Sequence, residues 1–443
     1  MTSAIQLHSL DPEEVDDWNA AEATEQIVDV AGWHQLHVPP RSDVRLRFSA
    51  GEFLDHRPVP SHERSRILPL AVIPPLVNAH THLEFSTLTQ PISPASPFPD
   101  WIRSVIRWRA VHSDSNITGV SAGLSECSSH GVSAIGEITT SDDATHQLQT
   151  GMTNIVSFRE LIGLLPGQVP AQIELMNRHL ECLTATPQTL VSPGISPHAP
   201  YSVHPDLVAA AAEFCGSHSI PLAMHLAETC DELELLGTGT GVFVDFLKQM
   251  NLWDPDVLSH GTTILRYLQQ LAKLPHALAV HSNYLTDKEI HFLGENPQIT
   301  VVYCPRTHHF FGHRSHPWQR ILAAGGRVVL GTDGRGSNPD LSIWNELQFV
   351  ASRSGNASAI DLLPMVTTHA AEALGFDDHW NSHGPFRGTV IRLPVSCRDR
   401  HDALLSPHSR PAARLVSDGH CVKMMLCEPP GEPNAHMPAT SDQ

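Results

Sequence analysis

Lysine is scarce in this sequence, which holds only four copies in 443 residues: Lys248, Lys273, Lys288 and Lys423. The formal net charge at pH 7 is −19. A chain this acidic offers no basic patch to neutralise phosphates, which argues against nucleic acid and anionic membrane surfaces as partners. We therefore expect a small-molecule partner, and a homo-oligomeric state is compatible with these numbers.

Paired cysteines and long apolar runs are missing too. The eight cysteines are scattered without a C-x-x-C pair, which in a chain of this length indicates reduced thiols and a cytoplasmic protein. The longest apolar stretch, residues 68–77, contains three prolines and is too short to cross a bilayer. The acidic residues between Asp11 and Asp17 are the opposite of the basic start of a signal peptide.

Eight short apolar runs alternate with stretches that have room for a helix. The runs are 73–79, 132–138, 154–158, 190–196, 221–226, 277–281, 299–304 and 327–331. This alternation is typical of βαβ units around a buried parallel sheet. The fold class we predict is α/β, a closed (β/α)8 TIM-like barrel over residues 71–379, with an open sheet as the alternative.

The two ends of the chain have a different pattern. Val44, Leu46 and Phe48 alternate with charged residues, and residues 390–393 and 414–425 resemble strands with a turn at Asp418-Gly419. We predict that residues 1–70 and 380–428 form a small β-sandwich. The Pro-rich, polar stretch 429–443 is predicted to be a disordered tail.

His80 and His82 are the first candidates for chemistry. They stand in a His-x-His pattern at the end of an apolar run, so that a strand would place both imidazoles on one face. At the carboxyl-terminal rim of a barrel the pair can bind one metal ion. Two chance histidines are an equal alternative in a chain with 30 histidines, because zinc sites need three or four ligands.

Four further candidates lie at the ends of other apolar runs or just after them. His225 and His281 end their runs, Glu228 follows His225 on a loop, and Asp333 comes after a Gly-Thr turn. Each of the two histidines alone can be a buried structural residue, and many strands end in Asp. Their joint recurrence at strand ends makes chance improbable and favours a single site.

At this point the sequence resembles the amidohydrolase superfamily, in its branch of cytosine/adenosine-type deaminases and triazine chlorohydrolases. The matching segments are 74–82, 196–201, 225–229, 281–285, 304–308 and 331–333. The details around His308 and residues 338–342 are most similar to the aminodeoxyfutalosine deaminases. The likeness spans about residues 70 to 375 and implies a deformed barrel with a β-sandwich made from both termini.

The resemblance also implies roles for individual residues. A single divalent ion, zinc or alternatively iron, would be held by His80, His82, His225 and Asp333. Glu228 matches the proton shuttle and His281 the residue that orients the attacking water, while Asp333 takes the water proton.

The shortage of lysine bears on the number of metal ions. Binuclear members of the superfamily often use a carboxylated lysine on the fourth strand as a bridging ligand, but no lysine here precedes Lys248. A mononuclear site is therefore expected.

The predicted reaction is hydrolytic deamination of an aminated heterocycle of the purine-nucleoside type, aminodeoxyfutalosine among them, with release of ammonia. Triazine dechlorination and cyclic amide or imidate hydrolysis are the alternatives that the same residues allow.

Four residues are predicted to contact the substrate. The resemblance implies a substrate contact for His198, which lies in a strand-end motif. His308 lies in a loop rich in aromatic residues, where a chance histidine in a variable loop is an equal alternative. Glu160 can bind a sugar hydroxyl, although an ion pair with Arg159 is slightly favoured. Arg335 can recognise a carboxylate or phosphate, or point to solvent.

Overall fold

The computed structural model describes the following residues: 4–21, 25–35, 38–112, 116–149, 153–185, 190–258, 261–355, 357–376, 386–394 and 402–427. The predicted tail 429–443 and the predicted junction at 380 lie outside the described residues. Among the described helices, none is long and apolar enough to cross a bilayer.

The strands, in chain order, are β1 (Ala4–Leu7), β2 (Glu25–Gln35), β3 (Val38–Ser49), β4 (Glu52–Pro58), β5 (Leu68–Ile73), β6 (Leu76–His82), β7 (Val132–Thr139), β8 (Asn154–Leu161), β9 (Val191–Pro197), β10 (Leu222–Leu226), β11 (Ala277–His281), β12 (Ile299–Tyr303), β13 (Arg327–Leu330), β14 (Asp333–Gly334), β15 (Arg387–Arg392), β16 (Arg410–Ser417) and β17 (Val422–Leu426). The α-helices are α1 (Pro12–Ala20), α2 (Phe98–Val111), α3 (Asn116–Ser129), α4 (Asp142–Leu148), α5 (Val169–Thr184), α6 (Pro205–His218), α7 (Cys230–Thr238), α8 (Val242–Gln249), α9 (Ile264–Leu271), α10 (Asp287–Glu295), α11 (Pro305–Phe310), α12 (Trp318–Ala323), α13 (Ile343–Arg353), α14 (Ala359–Leu362) and α15 (Thr368–Ala373).

Strands β6 to β14 form one parallel sheet, in the order β13-β12-β11-β10-β9-β8-β7-β6-β14. Strand β14 follows β13 after two residues and pairs with β6, where Asp333 lies opposite Thr81. The last strand position is thereby joined to the first, which closes the sheet. The predicted TIM-like barrel is confirmed, and its strands are buried on both faces as a parallel barrel requires.

The run predicted as one strand over 73–79 is in fact split between two sheets. Ile73 ends β5, and β6 begins only at Leu76. Pro74 and Pro75 separate them because proline has no N–H to donate to a strand ladder.

A second sheet is built from both ends of the chain, as predicted. Its strand order is β17-β16-β15-β5-β2-β3-β4, and β1 pairs with β2. Val44, Leu46 and Phe48 are buried in the core of this sheet, which also contains Trp18 of α1 and Leu415 of β16. The hairpin of β16 and β17 turns at Asp418 and Gly419, where Gly419 has a φ of +88°.

Candidate metal centre and substrate cavity

The His-x-His pair lies at the carboxyl end of β6. The Nε2 atoms of His80 and His82 each lie 3.5 Å from Oδ1 of Asp333. Between them, Thr81 turns the other way and donates a hydrogen bond to Glu137, which also accepts the backbone N–H of Leu83 at 3.0 Å. This carboxylate on β7 fixes the strand end, so that both imidazoles face the barrel axis.

His225, at the end of β10, faces the same point. Its Nε2 lies 3.4 Å from Nε2 of His82. Its Nδ1 lies 2.9 Å from the backbone carbonyl of His198, which can only accept a hydrogen bond. The proton of His225 is therefore on Nδ1, and the Nε2 lone pair is free for a metal ion.

Asp333 is fixed by polar contacts on its own strand and beyond. Ser337 Oγ donates to Oδ2 of Asp333 at 2.6 Å, which leaves Oδ1 towards the histidines. The preceding Thr332 exchanges two hydrogen bonds with Asn78, at 2.8 and 3.1 Å, across the seam between β6 and β13. The two strand ends that carry His80 and Asp333 are thus locked together.

Burial sets the protonation of this group. It lowers the pKa of His225 to about 3 and that of His82 well below its usual value. Burial opposes ionisation of Asp333, but His80, His82 and His281 outweigh it and lower the pKa of this carboxyl. Neutral imidazoles beside an ionised carboxylate are the ligands that a divalent transition metal requires.

These residues fit a metal ion. The ligand atoms of His80, His82 and Asp333 lie within 4.8 Å of one another, as do those of His80, His225 and His281. His80 Nε2 is buried and has no hydrogen-bond partner among the described residues. A buried polar atom without a partner is costly unless something binds it, and it points here into the shared space of both groups.

Two proton-handling candidates stand beside this centre. Oε1 of Glu228 lies 3.5 Å from Nε2 of His281. Burial raises the pKa of Glu228 well above its usual value, and the nearby Asp333 and Glu232 add to the effect. This shift favours the protonated form, so Glu228 is a candidate proton donor. We call the group of His80, His82, His225, Glu228, His281 and Asp333 the floor of the cavity.

A cavity of about 1110 Å³, which includes its open mouth, stands above the floor. His198 and Glu160 line it, and His198 Nε2 lies 4.0 Å from Oε1 of Glu160. The ion pair between Glu160 and Arg159 is not formed. Arg159 instead lies 3.3 Å from Asp142, while Glu160 faces Arg109 at 3.8 Å, because successive residues of β8 point to opposite sides.

Two of the predicted substrate contacts lie elsewhere. Arg335 is not among the residues that line the cavity, because its guanidinium binds both carboxylate oxygens of Glu126 on α3, at 2.9 and 3.0 Å. His308 is not among them either, and packs against the rings of Tyr303 and His313. Neither residue lines the cavity, so a substrate contact by either stays a prediction.

Several cavity residues were not predicted from the sequence, among them two on α2. Arg109 of α2 lines the cavity and binds Glu84 at 2.5 Å. Trp101 lines the cavity as well, while Trp108 of the same helix packs on Phe85. The helical spacing of these residues could have revealed a common face of α2, but not that this face covers the site.

A closed parallel barrel with histidines and an aspartate converging at its strand ends is the architecture of metal-dependent hydrolases. The family model described as the amidohydrolase family matches residues 71–383. The chain therefore belongs to the amidohydrolase family, whose members are metal-dependent enzymes.

The sequence is similar to curated deaminases. It is 28% identical to the aminodeoxyfutalosine deaminase of Deinococcus radiodurans over 290 residues, which are 63% of this chain and 67% of the relative. It is 25% identical to the 5-methylthioadenosine/S-adenosylhomocysteine deaminase of Pyrococcus furiosus over 316 residues, 69% of this chain and 70% of the relative.

Solved structures share the fold. Aminofutalosine deaminase of Helicobacter pylori in complex with methylthio-coformycin aligns with a TM-score of 0.74 at 19% identity, over 89% of this chain and 99% of the other. An atrazine chlorohydrolase of Arthrobacter aurescens with zinc aligns with a TM-score of 0.71 at 16% identity, over 91% and 96%.

Proposed function

We propose that this protein is a hydrolytic deaminase of an aminated heterocycle of the purine-nucleoside type. A single divalent ion, zinc rather than iron, would be held by His80, His82, His225 and Asp333. The observation that carries the proposal is the buried carboxyl of Glu228, whose Oε1 lies 3.5 Å from Nε2 of His281 beside the metal-ligand group and whose pKa is raised by burial. Deamination of an amidine-like ring needs a proton donor at this place.

A bound divalent ion lowers the pKa of water from about 15.7 towards about 7 and so supplies a nucleophile at neutral pH. The ionised carboxylate of Asp333, oriented by Ser337, accepts the proton of the attacking water. His281, which is neutral because burial lowers its pKa, holds the water oxygen towards the ring carbon.

Glu228 delivers its carboxyl proton to the ring nitrogen next to the attacked carbon, which makes that carbon electrophilic. Asp333 then passes the water proton to the amino group, which leaves as ammonia, while the hydroxyl proton of the adduct returns to Glu228 as the carbonyl forms. The backbone N–H of Glu228 donates to Glu232 at 2.9 Å, and its carbonyl accepts from Asn283 at 2.9 Å. Hydrogen bonds to both its N–H and its carbonyl therefore fix the backbone of the proton donor.

Glu160 and His198 are suited to a sugar. They line the cavity above the floor, and a carboxylate beside an imidazole can accept from and donate to vicinal hydroxyls. The named activities of the relatives, which are nucleoside deaminations, support this assignment. A cytoplasmic location and a homo-oligomeric state stay predictions.

The test is ammonia release from a panel of adenosine, 5′-methylthioadenosine, guanine, cytosine and aminated triazines. We expect turnover of the adenosine compounds. If no compound of the panel released ammonia and a cyclic amide, such as an imidazolone, were hydrolysed, the proposal would be overturned. Chloride release from a chlorotriazine without ammonia release would favour the second candidate, dechlorination, which the shared fold with the atrazine chlorohydrolase supports.

A further inference from the structure

We propose that the part of the cavity formed by α2 and α8 binds an uncharged, apolar substituent on the 5′ side of the nucleoside. This inference rests on the proposed deaminase function and names the substrate class within it. We call this part the distal subsite. It is formed by Phe98, Trp101, Ile102, Val105, Phe246 and Leu247.

The distal subsite is continuous with the floor. One cavity is lined both by Asp333 and His225 and by the apolar faces of α2 and α8. The cavity residues of α2 stand at positions 98, 101, 102, 105, 106 and 109, which is one face of a helix. A ligand whose reacting ring lies on the floor therefore extends along this face towards the mouth.

The mouth carries three exposed apolar side chains beside the exposed side chain of Gln168. Ile106, Ile162 and Met250 line it, and these side chains are 40%, 45% and 40% exposed. Large apolar side chains that stay exposed around one opening mark a ligand-binding surface more often than chance. An apolar substituent would cover them.

Few charged side chains line the cavity. Among the described residues, the charged side chains that line it are Arg109, Glu160, Glu228 and Asp333. Arg109 is already neutralised by Glu84 at 2.5 Å and by Glu160 at 3.8 Å. The distal subsite thus offers no unpaired cation for a carboxylate or phosphate, and no carboxylate for an ammonium group.

Arg103, a cation of α2 that does not line the cavity, is also engaged. Arg103 packs over the ring of Phe246 at 5.0 Å, while its guanidinium donates to Asp100 at 2.5 Å and to Gln249 at 2.6 Å. A charged tail would lose hydration in the distal subsite without gaining a partner. A zwitterionic amino-acid tail is therefore disfavoured, and a thioether, alkyl or aryl tail is favoured.

The experiment compares kcat/KM for four nucleosides that differ only at the 5′ position. They are adenosine, 5′-deoxyadenosine, 5′-methylthioadenosine and S-adenosylhomocysteine. We expect 5′-methylthioadenosine to exceed adenosine by about tenfold or more, which is the discrimination that a small apolar group gives in an apolar pocket. S-adenosylhomocysteine should be the poorest of the thioethers.

Two variants make the test specific. Met250→Lys places a cation at the exposed mouth, where folding is not at risk, and should raise the ratio of S-adenosylhomocysteine to 5′-methylthioadenosine turnover by about tenfold. Met250→Leu should leave this ratio unchanged. Ile360→Lys, at an apolar residue that is 61% exposed and does not line the cavity, controls for surface charge.

The outcomes separate the two proposals. Equal kcat/KM for adenosine and 5′-methylthioadenosine, with no response to Met250→Lys, would overturn the distal subsite and leave the deaminase function standing. Absence of ammonia release from all four would overturn the deaminase function. Calorimetric binding then decides the subsite, because preferential binding of 5′-methylthioadenosine over adenosine supports it and equal or absent binding overturns it.

Discussion

The floor and the distal subsite belong to one cavity but are constructed in different ways. The floor ligands lie at or just beyond the carboxyl ends of barrel strands, as His225 does on β10, where the sheet itself fixes their spacing. The distal subsite lies on the outward helices α2 and α8, whose positions depend on how each helix packs. The residues at the strand ends determine which reaction is catalysed, and the helix faces determine which substrates reach those residues. Variants of the two regions should therefore differ in kind as well as in size.

The largest of the expected effects is that of Glu228→Gln. Removing the acid should lower kcat by about 10² to 10⁴ because general acid catalysis contributes that much. The loss should be the same for every 5′ substituent, and the bound metal should be retained. Glu213→Gln, at an exposed residue of α6, is the matched control. A loss that depended on the 5′ group would erase the distinction between floor and distal subsite.

Ser337→Ala tests how tightly the floor is oriented. Ser337 donates to Oδ2 of Asp333 at 2.6 Å, and its loss should lower kcat/KM by about 10- to 100-fold through a misplaced carboxylate. Steady-state kinetics with 5′-methylthioadenosine measures this loss of kcat/KM. Ser352→Ala, at an exposed residue of α13, is the control. Unchanged kinetics would show that Asp333 needs no such support.

A buried histidine outside the cavity, His179, allows the effect of acid on the stability of the barrel to be measured without changing the floor. Burial lowers the pKa of His179 to about 4, while its Nε2 lies 2.8 Å from the backbone carbonyl of Ser157. The unfolded chain, with a pKa of about 6.5, binds the proton first, so the contribution of His179 is complete above pH 6.5 and is lost as pH falls towards 4.

His179→Gln should therefore reduce the loss of unfolding free energy between pH 6.5 and 4 by about 3 kcal/mol. Denaturant unfolding at several pH values measures this difference. His291→Gln, whose side chain is 77% exposed, should leave the pH profile as it is. If the unfolding free energy of His179→Gln fell with pH as steeply as that of the wild type, the lowered pKa of His179 would be refuted.

Arg335→Ala should have the smallest effect. Its ion pair with Glu126 is partly exposed, so we expect a loss of about 1 kcal/mol or less in unfolding free energy and no change in kcat/KM. Thermal unfolding and kinetics on the same preparation test both parts. A large rise in KM would instead indicate that Arg335 contacts the substrate.

Much of the floor could be predicted from the sequence because a strand has a simple period. His80 and His82 must share a face two residues apart, and parallel strands bring their carboxyl ends to one rim. The broken strand at Pro74 shows the limit of the same reasoning, since an apolar run does not reveal to which sheet each half belongs.

The distal subsite could not be predicted in this way. The spacing of Trp101 and Arg109 indicates a helix face, but what that face covers is decided by tertiary packing. Arg335 shows the converse, because its partner Glu126 lies 209 residues away in the chain and no local pattern connects them. Long-range partners of charged side chains are set by the fold and not by the neighbouring sequence.

The number and place of the metal ions test the central claim most directly. Elemental analysis of the purified protein, with ammonia release measured on the same sample, should give about one zinc ion per chain, as expected for four ligands and no bridging lysine. His225→Ala should lose both the ion and the activity. Two ions per chain, or a His225→Ala protein that keeps metal and turnover, would contradict the account.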